Sequence, residues 1–348
     1  MAIFRTEDTK GKKEDLASFI TMITRDETPF LSSVGNKKAT AVFHEWQTDE
    51  LAAPAANAQA EGSDFSASAV ANTSTVRAGN YSQILTKHIQ VSKTLDSVSK
   101  AGRNSEFAYQ MKKKGTELKR DLEHALVGSR QVTNGSGGAD GVGANAGRTM
   151  AGYQAWVPAY NTWDVSASTP AFASSTHAAA TGAAAGLTSA AATAGTHSLA
   201  LSDVDEVMQR VYEEGGKATV LMMSPSQKRN FSALAQAVTG TRRNLDEKGS
   251  IRQSVELYES DFGLVKVVPN YIQGLANSID KSDGLGGATD VLVYDPSWWS
   301  MANLRPLHTA DVGTQGDSTT AMMIEETTLE CRNTFASGMI SGIGAIQA

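Results

Sequence analysis

The chain has 348 residues, 41% of them apolar, and its 31 Lys and Arg against 37 Asp and Glu leave a formal charge of −6. That is enough apolar material for one large core or two smaller ones. The acidic balance speaks against a sequence-reading nucleic-acid binder, no apolar run nears the ~20 residues of a membrane span, and a single cysteine, Cys331, excludes an intrachain disulfide or a cysteine-clustered zinc site.

Residues 1–39 read as an arm. Met1 to Asp8 is charged within its first turn and shows neither an apolar stretch nor a cleavage site, so synthesis in a cytosol is expected. Leu16, Phe19, Ile20 and Ile23 fall at helical spacing and predict a short helix. Thr28-Pro29-Phe30 predicts an extended turn, because the residue before a proline is pushed out of the helical region.

Two alternating runs follow. From Thr40 to Thr48, Val42, His44 and Trp46 oppose Ala41, Phe43 and Glu45; from Tyr81 to Val91, Leu85, Lys87, Ile89 and Val91 oppose Ile84, Thr86 and His88. The residues between, 49–80, are nearly all Ala, Ser, Asn, Gly and Thr, too poor in large apolar groups to build a core. Together these segments predict a long hairpin whose end projects from the body.

The strongest helix comes next, over about 104–128. Asn104-Ser105-Glu106 supplies a cap, Phe107, Met111, Leu118, Leu122 and Leu126 form one apolar stripe, and Gly128 supplies a stop. Gly115 in its middle costs about 1 kcal/mol against alanine and predicts a less than straight helix. Off the stripe stand Lys112, Lys113, Lys114, Lys119 and Arg120. From Lys100 to Arg130 there are eight basic and four acidic side chains, whereas from Leu201 to the end there are twelve basic and nineteen acidic ones. One basic element therefore sits in an acidic protein.

Segments 131–147 and 164–198 are rich in Gly, Ala, Ser and Thr and read as linkers or insertions; 158–199 fits no standard element. From Ser202 the pattern is compact α/β. A helix carries Val204, Val207, Met208 and Val211 on one face and stops at Gly215-Gly216. Ala218 to Met223 reads as a buried strand, and Ser224-Pro225-Ser226-Gln227 pairs a capping box with proline at the first helical position. Strands are predicted at 255–258, 263–268 and 290–294, and a long β region at 321–340, with Leu329, Cys331 and Phe335 facing away from Glu330 and Arg332.

Catalytic motifs fail one by one. His44-Glu45-Trp46-Gln47 starts like a zinc-protease helix but continues with Thr48, so the second ligand is missing. Ser97-Val98-Ser99-Lys100 lacks the companion elements of a serine–lysine acyl enzyme. Gly141-Val142-Gly143-Ala144-Asn145-Ala146 has no strand before it or helix after it, as a dinucleotide loop requires, and Gly215-Gly216-Lys217 lacks the rest of a phosphate loop. Asp280 and Asp283 do not supply the ligands of a calcium loop. The six histidines (44, 88, 124, 177, 197, 308) are scattered and read as structural, and Trp298-Trp299 reads as a buried anchor or a subunit contact.

The order of these pieces resembles the HK97-type capsid fold of tailed phages and herpesviruses: arm, projecting hairpin (the E-loop), long spine helix, axial α/β domain, and return strands. Local wording resembles the SU10-like group of tailed-phage capsid proteins, at Thr28-Pro29-Phe30, Phe43 to Leu51, Gly147 to Gly152, Met223 to Lys228, Tyr258 to Gly263 and Asn303 to Leu307. The resemblance covers essentially the whole chain. It implies an α+β fold divided into arm 1–39, E-loop 40–93, peripheral domain 94–199 with the spine helix, axial domain 200–300 and peripheral return strands 301–348.

The implied function is structural: hexamers and pentamers of this subunit form an icosahedral virion shell around double-stranded DNA, assembled in the bacterial host cytoplasm, with no enzyme activity, cofactor, metal or membrane. A portal and a decoration protein are further implied partners. Scaffolding is implied to be a separate protein, since no long charged helical leader precedes the arm. Phe30, Trp46, Leu51, Phe65 and Arg77 are the candidate inter-subunit contacts. Lys112, Lys113, Lys114, Lys119 and Arg120 are the candidate ridge facing packaged DNA, held by nonspecific charge. The alternative of a different class is a secreted surface-layer or adhesin-like protein, suggested by Ala/Ser/Thr richness and near-absence of cysteine. A hydrolase stands third and would need a Ser–His–acid cluster.

Overall fold

The computed structural model describes residues 24–52, 54, 56, 58, 60–62, 75–100, 102–135, 147–165, 170–178, 197–238, 255–275, 290–313 and 316–343. The helix expected at 16–23, Phe65, the glycine motif 141–146 and Asp280 and Asp283 lie outside them.

In chain order the elements are α1 (Pro29–Ser33), β1 (Gly35–Lys38), β2 (Phe43–Thr48), β3 (Val76–Tyr81), β4 (Gln83–Ser92), α2 (Lys93–Ser97), α3 (Glu106–Val127) and α4 (Tyr153–Trp156). Then come β5 (Thr162–Asp164), β6 (Ala171–Phe172), α5 (Leu201–Glu213), β7 (Val220–Met223), α6 (Pro225–Val238), β8 (Leu257–Ser260), β9 (Gly263–Pro269) and α7 (Tyr271–Leu275). The chain closes with β10 (Val291–Tyr294), β11 (Trp299–Gly313), β12 (Ser318–Cys331) and β13 (Gly338–Ser341).

Among the described residues three sheets form: a four-stranded one in the order β1-β11-β12-β4, a seven-stranded one in the order β6-β5-β13-β10-β7-β9-β8, and the β2-β3 ribbon. The seven-stranded sheet divides two cores. Alternation sends Leu221, Met223, Val291, Val293 and Ile340 into one core, with Val204, Val207, Met208 and Val211 of α5 and Phe231 of α6. It sends Met222, Leu292, Tyr294 and Met339 into the other, with Tyr153, Trp156 and Trp299. Strands buried on both faces read as continuous apolar runs, which is why β7 and β10 were legible.

The spine helix is α3. Ser105 caps it by accepting from the Ala108 amide at 3.3 Å. Leu118, Leu122 and Leu126 are buried, while Phe107 and Met111 pack on Ile89 and Val91 of β4 and Met323 of β12. Gly115 does not interrupt the helix. A Cβ there would stand 3.3 Å from the Met323 methyl, so the glycine lets the helix sit close on the sheet.

Four expectations need correction. Thr28-Pro29-Phe30 opens a helical turn: Thr28 stays outside the helical region, and Pro29 takes the first helical position, where its fixed φ and missing N–H cost nothing. Tyr81 to Val91 is not one strand of the hairpin; the chain breaks at Ser82, with β3 pairing β2 and β4 pairing β12. The return segment also divides, because β11 and β12 join the four-stranded sheet while β13 inserts between β5 and β10 of the other. Finally, part of 158–199 has a definite place, since β5 and β6 extend the seven-stranded sheet beyond β13.

Candidate assembly interface

The β2–β3 ribbon pairs Phe43 with Tyr81 at its base and Thr48 with Val76 at its far end. Beyond Thr48, Leu51 is 99% exposed. At the base the opposite holds, because the two strand ends are tied to each other and to the body. The Ser82 amide donates to the Val42 carbonyl at 2.8 Å. Asn80, fully buried, donates to the carbonyls of Ala151 (3.2 Å) and Leu329 (2.8 Å) and accepts from the Ala151 amide at 2.9 Å. A Cβ at Gly79 would fall 2.6 Å from the Phe43 ring, so any side chain there obliges that ring to move.

Two carboxylates on β12 complete the base. Glu326 accepts from the Ser82 hydroxyl at 2.8 Å, Arg148 Nη2 at 2.7 Å and Arg305 Nε at 2.7 Å. Glu330 accepts from Lys37 Nζ at 2.7 Å and lies 3.1 Å from His44 Nε2. Burial pushes both carboxyl pKa values up, but the hydroxyl and arginines at Glu326, and Lys37 and His44 at Glu330, outweigh it and hold both below the ordinary glutamate value. A third buried carboxylate, Glu123 of α3, accepts from the Phe30 and Leu31 amides at 2.9 and 2.8 Å and from Asn270 Nδ2 at 2.7 Å. Burial raises its pKa against those three bonds. It fastens arm, spine helix and the start of α7 at one point.

The proposed contact residues separate accordingly. Phe30 is fully buried against Tyr153, Tyr294 and Trp299 of its own chain, so it anchors the arm rather than reaching a neighbour. Trp46 is half-buried, with its ring 5.1 Å from that of Trp156, and is likewise an internal contact. Arg77 pairs with Glu45 across the ribbon at 2.5 Å while remaining 64% exposed. Leu51 alone of the described candidates stands free of its own chain. Trp299 is the buried anchor, donating to the Ser337 hydroxyl at 3.0 Å.

The basic residues of α3 do not form one ridge. Residues seven apart lie on the same side of a helix, so Lys112 and Lys119 make one row and Lys113 and Arg120 another. Lys112, Lys113 and Lys119 are exposed; Lys114 turns to Glu117 at 2.7 Å, and Arg120 is half-buried. The sheet face away from α3 differs in kind. Its rows run Ile84, Thr86, His88 and Gln90 on β4 and Thr320, Met322, Ile324 and Glu326 on β12, so that Glu326, neutralised by Arg148 and Arg305, is the one charged residue in these two rows.

Sequence reasoning missed Asn80, Ser82, Arg148, Glu326 and Glu330. The one available signal was a pair of glutamates four apart in a run otherwise suited to burial.

Residues 3–344 match the model of the family described as SU10 major capsid protein. The chain belongs to that family. A curated relative, the major capsid protein of Escherichia phage Phieco32, is 26% identical over 354 residues, covering 97% of this chain and 96% of that one. Among solved structures, the SrpI encapsulin of Synechococcus elongatus PCC 7942 superposes with a TM-score of 0.56 at 9% identity, covering 97% and 94% of the two chains. The capsid of a native GTA particle gives 0.55 at 12% identity over 97% and 98%. That of cyanophage P-SCSP1u gives 0.55 at 11% over 95% and 93%. The fold is thus of the HK97 type, and this phage major capsid protein is a component of the virion shell. The surface-layer alternative has no support in these matches.

Proposed function

We propose that the subunit assembles as hexamers and pentamers of an icosahedral shell around double-stranded DNA, using the β2–β3 hairpin as a stiff lever that grips a neighbouring copy. The observation that carries this reading is the contrast along the hairpin. Its base is held by two buried carboxylates and a buried asparagine, while at its end Leu51 is 99% exposed. A lever fixed at one end transmits force, and an apolar side chain bare at the other gains from burial against a partner. Deleting residues 52–76 tests it: a soluble, folded subunit that no longer closes into shells is expected, and normal shells would overturn it.

The exposed lysines of α3 support an inward orientation for the helix side of the peripheral domain. Lys112, Lys113 and Lys119 offer weak, salt-dependent contacts to phosphates, and many copies lining one cavity sum them. The opposite sheet face, where the one charged residue of the β4 and β12 rows is the paired Glu326, suits the outer side. A separate scaffolding protein, a portal and a decoration protein complete the proposed partners, with assembly in the host cytoplasm. Charge reversal at 112 and 113 is expected to leave empty-shell assembly intact while lowering the DNA content of filled heads.

A further inference from the structure

We propose that the cleft between β1 and the start of β11 is a binding site for a tetrahedral oxyanion of the phosphate type. The cleft encloses about 360 Å³. Its lining includes Lys37, Arg332, Ser300, Asn36, Ser33 and Gly35, and none of the described residues lining it is a carboxylate. Lys37 and Arg332 are each 44% exposed and share a single carboxylate beneath them, Glu330, at 2.7 and 3.9 Å. Two side-chain cations at the cleft thus share one carboxylate.

Two details point to a ligand rather than to a solvated turn. The first is Ser300, which is 2% exposed and whose hydroxyl is enclosed without a hydrogen-bond partner. A buried hydroxyl is normally paired, and an oxyanion in the cleft supplies the missing acceptor. The second is Gly35, the register partner of Ser300. Its φ is not in the left-handed region, and a Cβ built on it would meet nothing within 4 Å. Neither backbone nor packing calls for glycine there. Its effect is to leave the space over Ser300 open.

The donors explain the tetrahedral choice. Lys37 comes from β1, Ser300 from β11 and Arg332 from just beyond β12, so three donors on three neighbouring strands border the cleft. A carboxylate offers two coplanar oxygens, whereas a phosphate offers three or four spread around its centre, and a guanidinium fork suits it.

The test uses purified, assembled shells of wild type and of Ser300→Ala, Gly35→Val and Arg332→Gln, melted and titrated calorimetrically with inorganic phosphate and, separately, with a short DNA duplex at equal phosphate concentration. In phosphate-free buffer, Ser300→Ala and Gly35→Val are expected to melt no lower than wild type. Millimolar phosphate should raise the wild-type melting temperature, and Gly35→Val, which fills the cleft but removes no donor, should lose that rise. Arg332→Gln should weaken binding about tenfold or more. A response to free phosphate assigns the site to a free anion; a response to duplex alone assigns it to a nucleic-acid phosphate. Either supports the oxyanion site. No response to either, an undiminished response in Gly35→Val, or a lower melting temperature of Ser300→Ala without phosphate overturns it.

Discussion

The Ser82 hydroxyl donates to Glu326 at 2.8 Å, and Ser82 is the single residue between the end of the projecting ribbon at Tyr81 and the start of the peripheral sheet at Gln83. The same residue gives its amide to Val42 and accepts from Arg148 Nε through its carbonyl. The direction in which the hairpin leaves the body is therefore set by one polar junction centred on Glu326.

Replacing Glu326 by Gln leaves Arg148 and Arg305 without their counter-charge. Removing one partner of a buried ion pair costs about 3–5 kcal/mol, and the half-exposed Arg305 lowers the expectation to about 2–3 kcal/mol. Thermal melting should report that loss, and hydrogen exchange should quicken from 76 to 85. Unchanged exchange across the ribbon base would mean that Glu326 does not hold it.

The acid sensitivity of the base has a definite sign. Glu326 and Glu330 have folded pKa values below 4.5, so their stabilisation is present above that pH and is lost as the pH falls through the lower folded values. Glu123 runs the other way. Its raised folded pKa contributes stability that is full below 4.5 and lost as the pH rises through the folded value. Melting temperatures of wild type and Glu326→Gln/Glu330→Gln across the acid range should show a shallower acid decline in the double variant, and parallel declines would contradict this.

At Gly79, alanine would press its Cβ into the Phe43 ring. A cost of about 1–3 kcal/mol is expected, with partial recovery in Phe43→Ala/Gly79→Ala. Chemical denaturation of the two variants measures the coupling, and simple additivity would show that the ring and the glycine are independent.

The axial elements were legible because their signals are local. α5 and α6 carry apolar spacing and caps, and β7 and β10 are short apolar runs between breakers. The hairpin was half legible. Alternation from Tyr81 to Val91 continues across Ser82 without a fault, and side-chain periodicity says nothing about which strand lies alongside, so β3 and β4 merged into one. Most of β11 escaped because Arg305-Pro306-Leu307 coincides with register shifts in its pairing with β12. Glu326 and Glu330 escaped because their burial depends on Lys37, Arg148 and Arg305, which are distant in sequence. Phe30 and Trp46 looked like contact residues in segments lacking their own core, and the core they join belongs to α4 and the regions around Tyr294 and Trp299.

Phe30→Ala and Leu51→Ser should therefore behave oppositely. The first removes a fully buried ring and should cost the isolated subunit about 3–5 kcal/mol. The second should leave subunit stability within about 0.5 kcal/mol and lower the yield of closed shells. Equal melting temperatures for wild type and Phe30→Ala would return Phe30 to the interface.

An electron cryo-microscopy reconstruction of the DNA-filled particle tests the central claim most directly. Every copy's hairpin end, around Leu51, is expected to be seated on another copy, with Lys112, Lys113 and Lys119 lining the interior beside the packaged DNA. Hairpin ends standing alone in solvent, or those lysines on the outer surface of the shell, would contradict it.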